Sequence, residues 1–149
     1  MEAVVFIGIQ ATGKSVFYRQ RFVDTHIRLN LDMLKTRRRE QILLAACLEA
    51  KQPFVVDNTN ANREARAGYI SQAKAARFSV VGYYFKSALQ SAIERNDMRT
   101  GKARIPTKGI VATHRKLELP SYDEGFDELF YVEIGDDGAF IVKDWRDEV

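Results

Sequence analysis

Residues Ala3 to Ser15 read AVVFIGIQATGKS: an apolar, β-branched run that breaks at a glycine and ends in Gly-Lys-Ser. Few short segments restrict a fold as much. Gly8 to Ser15 fit the spacing G-x-x-x-x-G-K-[ST] in full, between an expected strand and an expected helix from Lys14 to Val23. Glycines let the backbone curl until successive N–H groups face one point, and the following helix adds its positive N-terminal end. Such a loop cradles phosphate. Its lysine reaches the β- and γ-phosphates and its serine offers a hydroxyl to Mg²⁺, so Lys14 and Ser15 are candidates for those tasks. Gly8, Ala11, Thr12, Gly13 and Val16 complete the candidate nucleotide-binding loop. The competing explanation, an ordinary glycine turn capping a helix, accounts for less of the pattern.

Beyond the loop, strands and helices alternate. HIRLN (His26 to Asn30) reads as a second strand, and Leu34 to Lys51 as a helix stopped by Pro53. PFVVD is a third buried strand, followed by a helix from Asn62 to Arg77 with Thr59 or Asn60 as its cap. FSVVGYYF is a fourth strand, and Ala88 to about Thr100 a fourth helix. After the loop GKARIP come a helix from Thr107 to Leu117 and a last strand, LFYVEI, with IGDDGAF turning into a short terminal strand. This order predicts an α/β fold, a three-layer sandwich whose mainly parallel sheet carries helices on both faces. The length suits one domain spanning 1–149. In such sheets ligands bind at the carboxyl ends of the strands, so the motifs should converge there.

Three further places carry chemistry-bearing residues. Asp57 ends the third strand in FVVDNTN, where a carboxylate suits the Mg²⁺ shell beside a phosphate loop; Asn58, Thr59 and Asn60 suit a turn. Asp32 follows the second strand inside the basic stretch HIRLNLDMLKTRRR. It is either the N-cap of a helix beginning at Met33 or an acceptor for the proton of an attacking hydroxyl. Phosphoryl transfer to an alcohol needs such an acceptor. In IERNDMRTGKARIP, Arg95 and Arg99 share a helix face that runs into a basic, glycine-containing loop, the make-up of a lid over a transferring phosphate. A solvated basic face paired with Glu94 and Asp97 is the plainer alternative.

Charge is unevenly divided. Residues 1–117 hold 21 Lys or Arg against 9 Asp or Glu, and residues 118–149 hold 2 against 11. The main body suits something anionic, nucleotide phosphates or nucleic acid, and the acidic tail does not; simple solvation of the surface is the alternative. The single cysteine, Cys47, reads as a buried small hydrophobe. His26 and His114 lack partners at metal-ligand spacing, and Tyr83, Tyr84 and Phe85 read as core. No apolar run is long enough to span a membrane, and MEAVVFIGIQ lacks a basic leader. A cytoplasmic protein is expected.

Together these motifs resemble the kinase domain of the 5′-hydroxyl polynucleotide kinases, within the P-loop kinase superfamily, from the loop to about PSYDEGFDELFYVEI. In that family an Asn-Arg-Asp triplet carries the general base; the matching triplet here is Asn30-Leu31-Asp32. The family's Asp-Asn-Thr-Asn strand end matches Asp57-Asn58-Thr59-Asn60, and its lid arginine matches Arg99, with Arg95 and Asn96 before it. Leu31 stands in place of the triplet's arginine. Lys35 stands where some members grip a substrate phosphate with an arginine, and it lacks that residue's bidentate fork. The loop interior, Ile9 to Thr12, is also less rich in Gly and Pro. The chain is similar, too, to small stand-alone predicted bacterial kinases with no settled acceptor.

The resemblance implies an ATP- and Mg²⁺-dependent phosphotransferase moving the γ-phosphate to a hydroxyl, the preferred acceptor being the 5′-OH of a nucleic-acid end. Asp32, Lys14 and Arg99 are then the catalytic candidates, Arg99 also meeting nucleotide. Ser15 and Asp57 are the metal candidates, and Lys35, Arg38, Asn58 and Arg95 the acceptor-binding ones. A kinase for a small metabolite, such as a nucleoside or sugar, is the first alternative. An ATP-hydrolysing switch acting through a partner is the second, and it has no need of Asp32.

Overall fold

The strand that leads into the phosphate loop lies inside a six-stranded sheet of order β2-β3-β1-β4-β5-β6. The computed structural model describes residues 1–146; the last residues of the expected acidic tail, 147–149, lie outside the described residues. The strands are β1 (Glu2–Ile7), β2 (Ile27–Leu29), β3 (Phe54–Val56), β4 (Ser79–Phe85), β5 (Glu128–Ile134) and β6 (Phe140–Asp144). Strands β1 to β5 run parallel, and β6 pairs antiparallel with β5, Val132 opposite Val142. The helices are α1 (Lys14–Arg21), α2 (Leu31–Leu34), α3 (Arg37–Ala50), α4 (Arg63–Ala75), α5 (Leu89–Asp97) and α6 (Thr107–Lys116). Among the described residues no helix is long and apolar enough to cross a membrane.

The unbroken apolar run of β1 follows from cover on both faces. Ala3, Val5 and Ile7 join one core with Leu44 and Cys47 of α3 and Tyr69 and Ile70 of α4. Val4 and Phe6 join the other, with Phe17 and Tyr18 of α1. Phe6 centres an aromatic cluster, meeting Phe17 edge-on at 5.8 Å and Phe85 at 5.0 Å; burying each such ring contributes about 1.5–3 kcal/mol. A third cluster, with Ile9, Ala11, Ala92 and Ile110, seats α5 and α6 on the phosphate loop. From the hairpin side, Phe140 packs on Phe17 at 5.1 Å and closes over Gly13, where an added Cβ would stand 2.8 Å from its ring.

Several boundaries differ from expectation: α1 ends at Arg21 and not Val23, and α5 ends at Asp97 and not near Thr100, so Arg99 stands beyond the helix and shares no helix face with Arg95. Leu34 to Lys51 is not one helix: Lys35, at φ 75°, ends α2, and Thr36 opens α3 by accepting the Arg39 N–H. The apolar periodicity that predicts the helix begins only at Ile42, so it carries no information about this break. α3 ends at Lys51, left-handed at φ 58°, before Pro53 is reached. The cap of α4 is Asn62, which accepts the Ala65 N–H, and not Thr59 or Asn60. Asn60 instead turns inward and donates to the Phe6 carbonyl at 2.7 Å.

Part of the charge asymmetry is internal pairing. Arg66 of α4, fully buried, donates to Glu124 at 2.8 Å and to the carbonyls of Asn60 and Glu118. Arg63 pairs with Asp123 and Lys74 with Asp127. Residues 118–127 of the acidic segment thus lie against α4, β5 and β6 extend the sheet beyond β4, and no residue of the segment's described part lines the cleft described next.

Candidate active site

The carboxyl ends of β1, β2 and β3 open on a cleft of about 340 Å³, lined by Gln10 to Val16, Asn30 to Asp32, Asp57 to Thr59, Arg99 and Ile105. Its floor is the loop after β1. The Gly8 N–H donates to the Thr59 carbonyl at 3.0 Å and the Ile9 N–H to the Ser87 hydroxyl at 3.1 Å. The Thr12 hydroxyl donates to the Ile9 carbonyl, and Arg95 donates to the Ala11 carbonyl at 2.8 Å. The bonds with Thr59, Ser87 and Arg95 hold the loop from outside, and the Thr12 bond ties it internally. Ala11 at φ 62° and Gly13 at φ 95° turn it inward. Gly13 offers no side-chain cap to α1, so the first amides of that helix stay open to an anion.

Lys14 folds back over the loop, donating to the Gly8 carbonyl at 2.9 Å and the Ile9 carbonyl at 2.6 Å. Burial pulls its pKa down to about 8. Asp57 and Asp32 counter that pull and Arg99 adds to it. At neutral pH it is a cation waiting beside an open amide cluster.

Next to it, the Ser15 hydroxyl donates to Asp57 Oδ2 at 3.1 Å, and Asp57 is only 2% exposed. A hydroxyl and a carboxylate beside a phosphate loop fit Mg²⁺, which takes few protein ligands and keeps phosphate oxygens and waters for the rest. Among the described residues no group of three or more His, Cys, Asp or Glu is placed to hold a metal. Arg28 of β2 also joins this pair, a residue to which the sequence reading gives no role. Its Nε donates to Asp57 Oδ2 and its Nη2 to the Ser15 hydroxyl, both at 2.8 Å. The one signal in the sequence is a charged residue inside the otherwise apolar strand Ile27–Leu29.

The structure removes one reading of Asp32. The N-cap of α2 is Asn30, whose side chain accepts the Met33 N–H at 3.0 Å and donates to the Asp57 carbonyl. Asp32 sits in the first turn, exposed at the cleft, with no hydrogen-bond or ion-pair partner among the described residues. Asn58 braces that turn: its Oδ1 accepts the Leu31 N–H at 2.9 Å, and its Nδ2 donates to Glu40 at 3.1 Å. Glu40 is fully buried and also accepts from Tyr69 at 2.6 Å and Arg37 at 3.3 Å. Burial, with Glu40 as hydrogen-bond partner, holds the Tyr69 hydroxyl well above its ordinary pKa.

Arg99 lines the same cleft as Asp32, its side chain making one hydrogen bond among the described residues, to the Ala103 carbonyl at 3.4 Å. Its loop is pinched by Asn96, fully buried, whose Oδ1 accepts the Ile105 N–H at 2.8 Å. The remaining candidates lie apart. Arg95 faces the Ala11 carbonyl and a separate cavity of about 120 Å³ with Thr12 and Ile134. Lys35 and Arg38 are exposed on the α2–α3 segment outside the cleft lining, and Gly8 lies beneath the loop.

Residues 4–120 match a family described as AAA domain. The chain is also similar to the bifunctional polynucleotide phosphatase/kinase of Schizosaccharomyces pombe, 26% identical over 129 residues. That alignment covers 84% of this chain and 32% of the relative, so the chain spans about a third of that protein's length. Among solved structures it superposes on Chaetomium thermophilum Kti12 in complex with ADP-AlF3 (TM-score 0.67, 18% identity, 91% of this chain and 90% of that one). It superposes likewise on a gluconokinase from Sinorhizobium meliloti 1021 (TM-score 0.63, 19% identity, 91% and 83%). At these identities the likeness is one of fold.

Proposed function

The chain belongs to the AAA domain family, with the fold of the P-loop kinases, and from that premise we propose that it transfers the γ-phosphate of ATP to the 5′-hydroxyl of a nucleic-acid end. Lys14 and the open amides of α1 hold the phosphates. Asp32 accepts the proton of the attacking hydroxyl while that oxygen forms its bond to the γ-phosphorus. The bond from the γ-phosphorus to the bridging oxygen breaks, and ADP leaves with the electron pair. Arg99 meets the charge on the transferring group. Ser15 and Asp57 would hold Mg²⁺, which supplies charge neutralisation at the phosphate oxygens.

The observation that carries this reading is the free carboxylate of Asp32 facing the phosphate loop across one cleft, its capping duty taken by Asn30. Hydrolysis alone has no use for it. The identity to the polynucleotide phosphatase/kinase supports the nucleic-acid acceptor. A small hydroxyl metabolite is the second reading, supported by the gluconokinase likeness, by Leu31 in place of the triplet's arginine and by Lys35 where some polynucleotide kinases carry an arginine.

The test is transfer of labelled γ-phosphate to a 5′-hydroxyl oligonucleotide, with Asp32→Asn beside the unaltered protein. Transfer that disappears in the variant supports the proposal. No transfer to the oligonucleotide but transfer to gluconate or a nucleoside moves the assignment to the second reading. ATP turnover unaffected by Asp32→Asn overturns the kinase mechanism and leaves a nucleotide-dependent switch.

A further inference from the structure

The pair suited to a divalent cation already has a cation of the chain's own. Arg28 spans Ser15 and Asp57 with two nitrogens at 2.8 Å, the planar fork arrangement that an arginine offers and a lysine does not. The contact is built. Arg28 stands on β2 in register with Val55, next to the strand that Asp57 follows, and the Asp57 N–H donates to the Leu29 carbonyl at 2.8 Å. Its guanidinium carbon lies 5.9 Å from the Tyr18 ring centroid, and Tyr18 is itself tied to the His26 carbonyl at 2.6 Å. Arg28 does not line the cleft; it reaches the pair from the β2 side.

The hydrogen-bond count limits what else can bind. Ser15 Oγ gives its proton to Asp57 and accepts from Arg28, and Asp57 Oδ2 receives both donors. A further cation must either push the guanidinium off the serine oxygen or sit beside a positive charge a few ångströms away. Both are unfavourable for a bare ion. Both become favourable when phosphate charge arrives with it.

We infer that Arg28 is the resident counter-ion of the Ser15–Asp57 pair, keeping the site neutral and aligned without metal and admitting Mg²⁺ only together with nucleotide. The inference rests on the reading of Ser15 and Asp57 as the metal-holding residues. Mg²⁺ alone then leaves the unaltered protein's melting temperature unchanged.

The experiment titrates Mg²⁺ at fixed concentration of a fluorescent ADP analogue and follows binding, with thermal melts in Mg²⁺ alone. In Arg28→Gln the Mg²⁺ midpoint should fall by about tenfold or more, and Mg²⁺ alone should raise the melting temperature. Analogue affinity in EDTA should stay within about twofold. Arg28→Lys, which keeps the charge, should keep the midpoint near that of the unaltered protein. A midpoint unchanged or raised in Arg28→Gln overturns the inference. Ser15→Ala and Asp57→Asn isolate the underlying reading. If neither moves the midpoint, the metal assignment fails; if both move it and Arg28→Gln does not, only the counter-ion role fails. Should Arg28→Gln melt too low to titrate, the double variant Arg28→Gln/Asp57→Asn must recover melting temperature. Failure to recover also overturns the counter-ion role.

Discussion

The two walls of the cleft are built differently. On the loop side the side chains are already engaged, Lys14 on two carbonyls, Ser15 on Asp57 and Asp57 on Arg28, as are the amides of Gly8 and Ile9 on Thr59 and Ser87; the first amides of α1 stay open. On the facing side Asp32 is exposed and unpartnered among the described residues, and Arg99 has one 3.4 Å contact. A site that binds a constant ligand can be set before the ligand arrives, since fixed dipoles then need no reorganisation. Groups that meet a variable acceptor, or that act only in the transition state, gain by remaining free until closure. The difference teaches that removing a group from one wall should disturb folding, whereas removing one from the other should disturb turnover alone.

The largest expected effect tests the free wall. Asp32→Asn should lower phosphoryl transfer by about 10²- to 10⁴-fold, measured in single turnover, while urea unfolding moves by less than about 0.5 kcal/mol. A comparable loss of stability would erase the contrast. Behind the engaged wall, Arg66→Met leaves Glu124 buried and unpaired, and unfolding free energy should drop by about 3–5 kcal/mol. Nucleotide affinity of the folded fraction should hold, because Arg66 touches the loop only through the Asn60 carbonyl and its turn. A drop in affinity without a drop in stability would place Arg66 in the site instead of under it.

A smaller effect separates the walls by pH. Lys14 titrates near 8 in the free protein, and a bound phosphate raises that value, so binding above pH 8 takes up a proton. ADP affinity should be nearly flat below about pH 7 and weaken as pH rises past 8, by up to about tenfold per unit. Calorimetry in buffers of different ionisation heat reads the proton directly, and Lys14→Met should abolish the dependence. The smallest effect belongs to the outer rim. If the acceptor is single-stranded nucleic acid, Arg38→Gln should flatten the slope of log affinity against log salt by about 0.7. An unchanged slope would remove that residue from the acceptor path.

How far the sequence was legible follows from range. Gly8 to Ser15 is a local pattern, and it located the loop, the strand before it and the helix after it without reference to the rest of the chain. Asp57 and Asp32 were legible as strand-end carboxylates because the α/β order directs such ends to one edge. Arg28 was not, since its partners depend on which strand lies beside β3, a matter of sheet order and not of spacing. Arg66 was illegible for a similar reason: an arginine in a helix reads as surface until the acidic residues that enclose it, Glu124 above all, are folded onto it. The break at Lys35 escaped because a left-handed lysine has no compositional mark, and it is this break that frees α2 to present Asp32 separately from α3.

The ring of Phe140 over Gly13 gives the boundary of the family match a different meaning. The match stops at residue 120, and every sequence motif of the site lies before it. Yet the wall that leaves no room for a side chain at the loop's second glycine comes from twenty residues further on. A fragment cut at the edge of the matched region would keep the whole inscription and lose the hand that presses the loop into shape. Excision by sequence similarity and excision by mechanical dependence therefore yield different minimal units, and only the second includes the terminal hairpin.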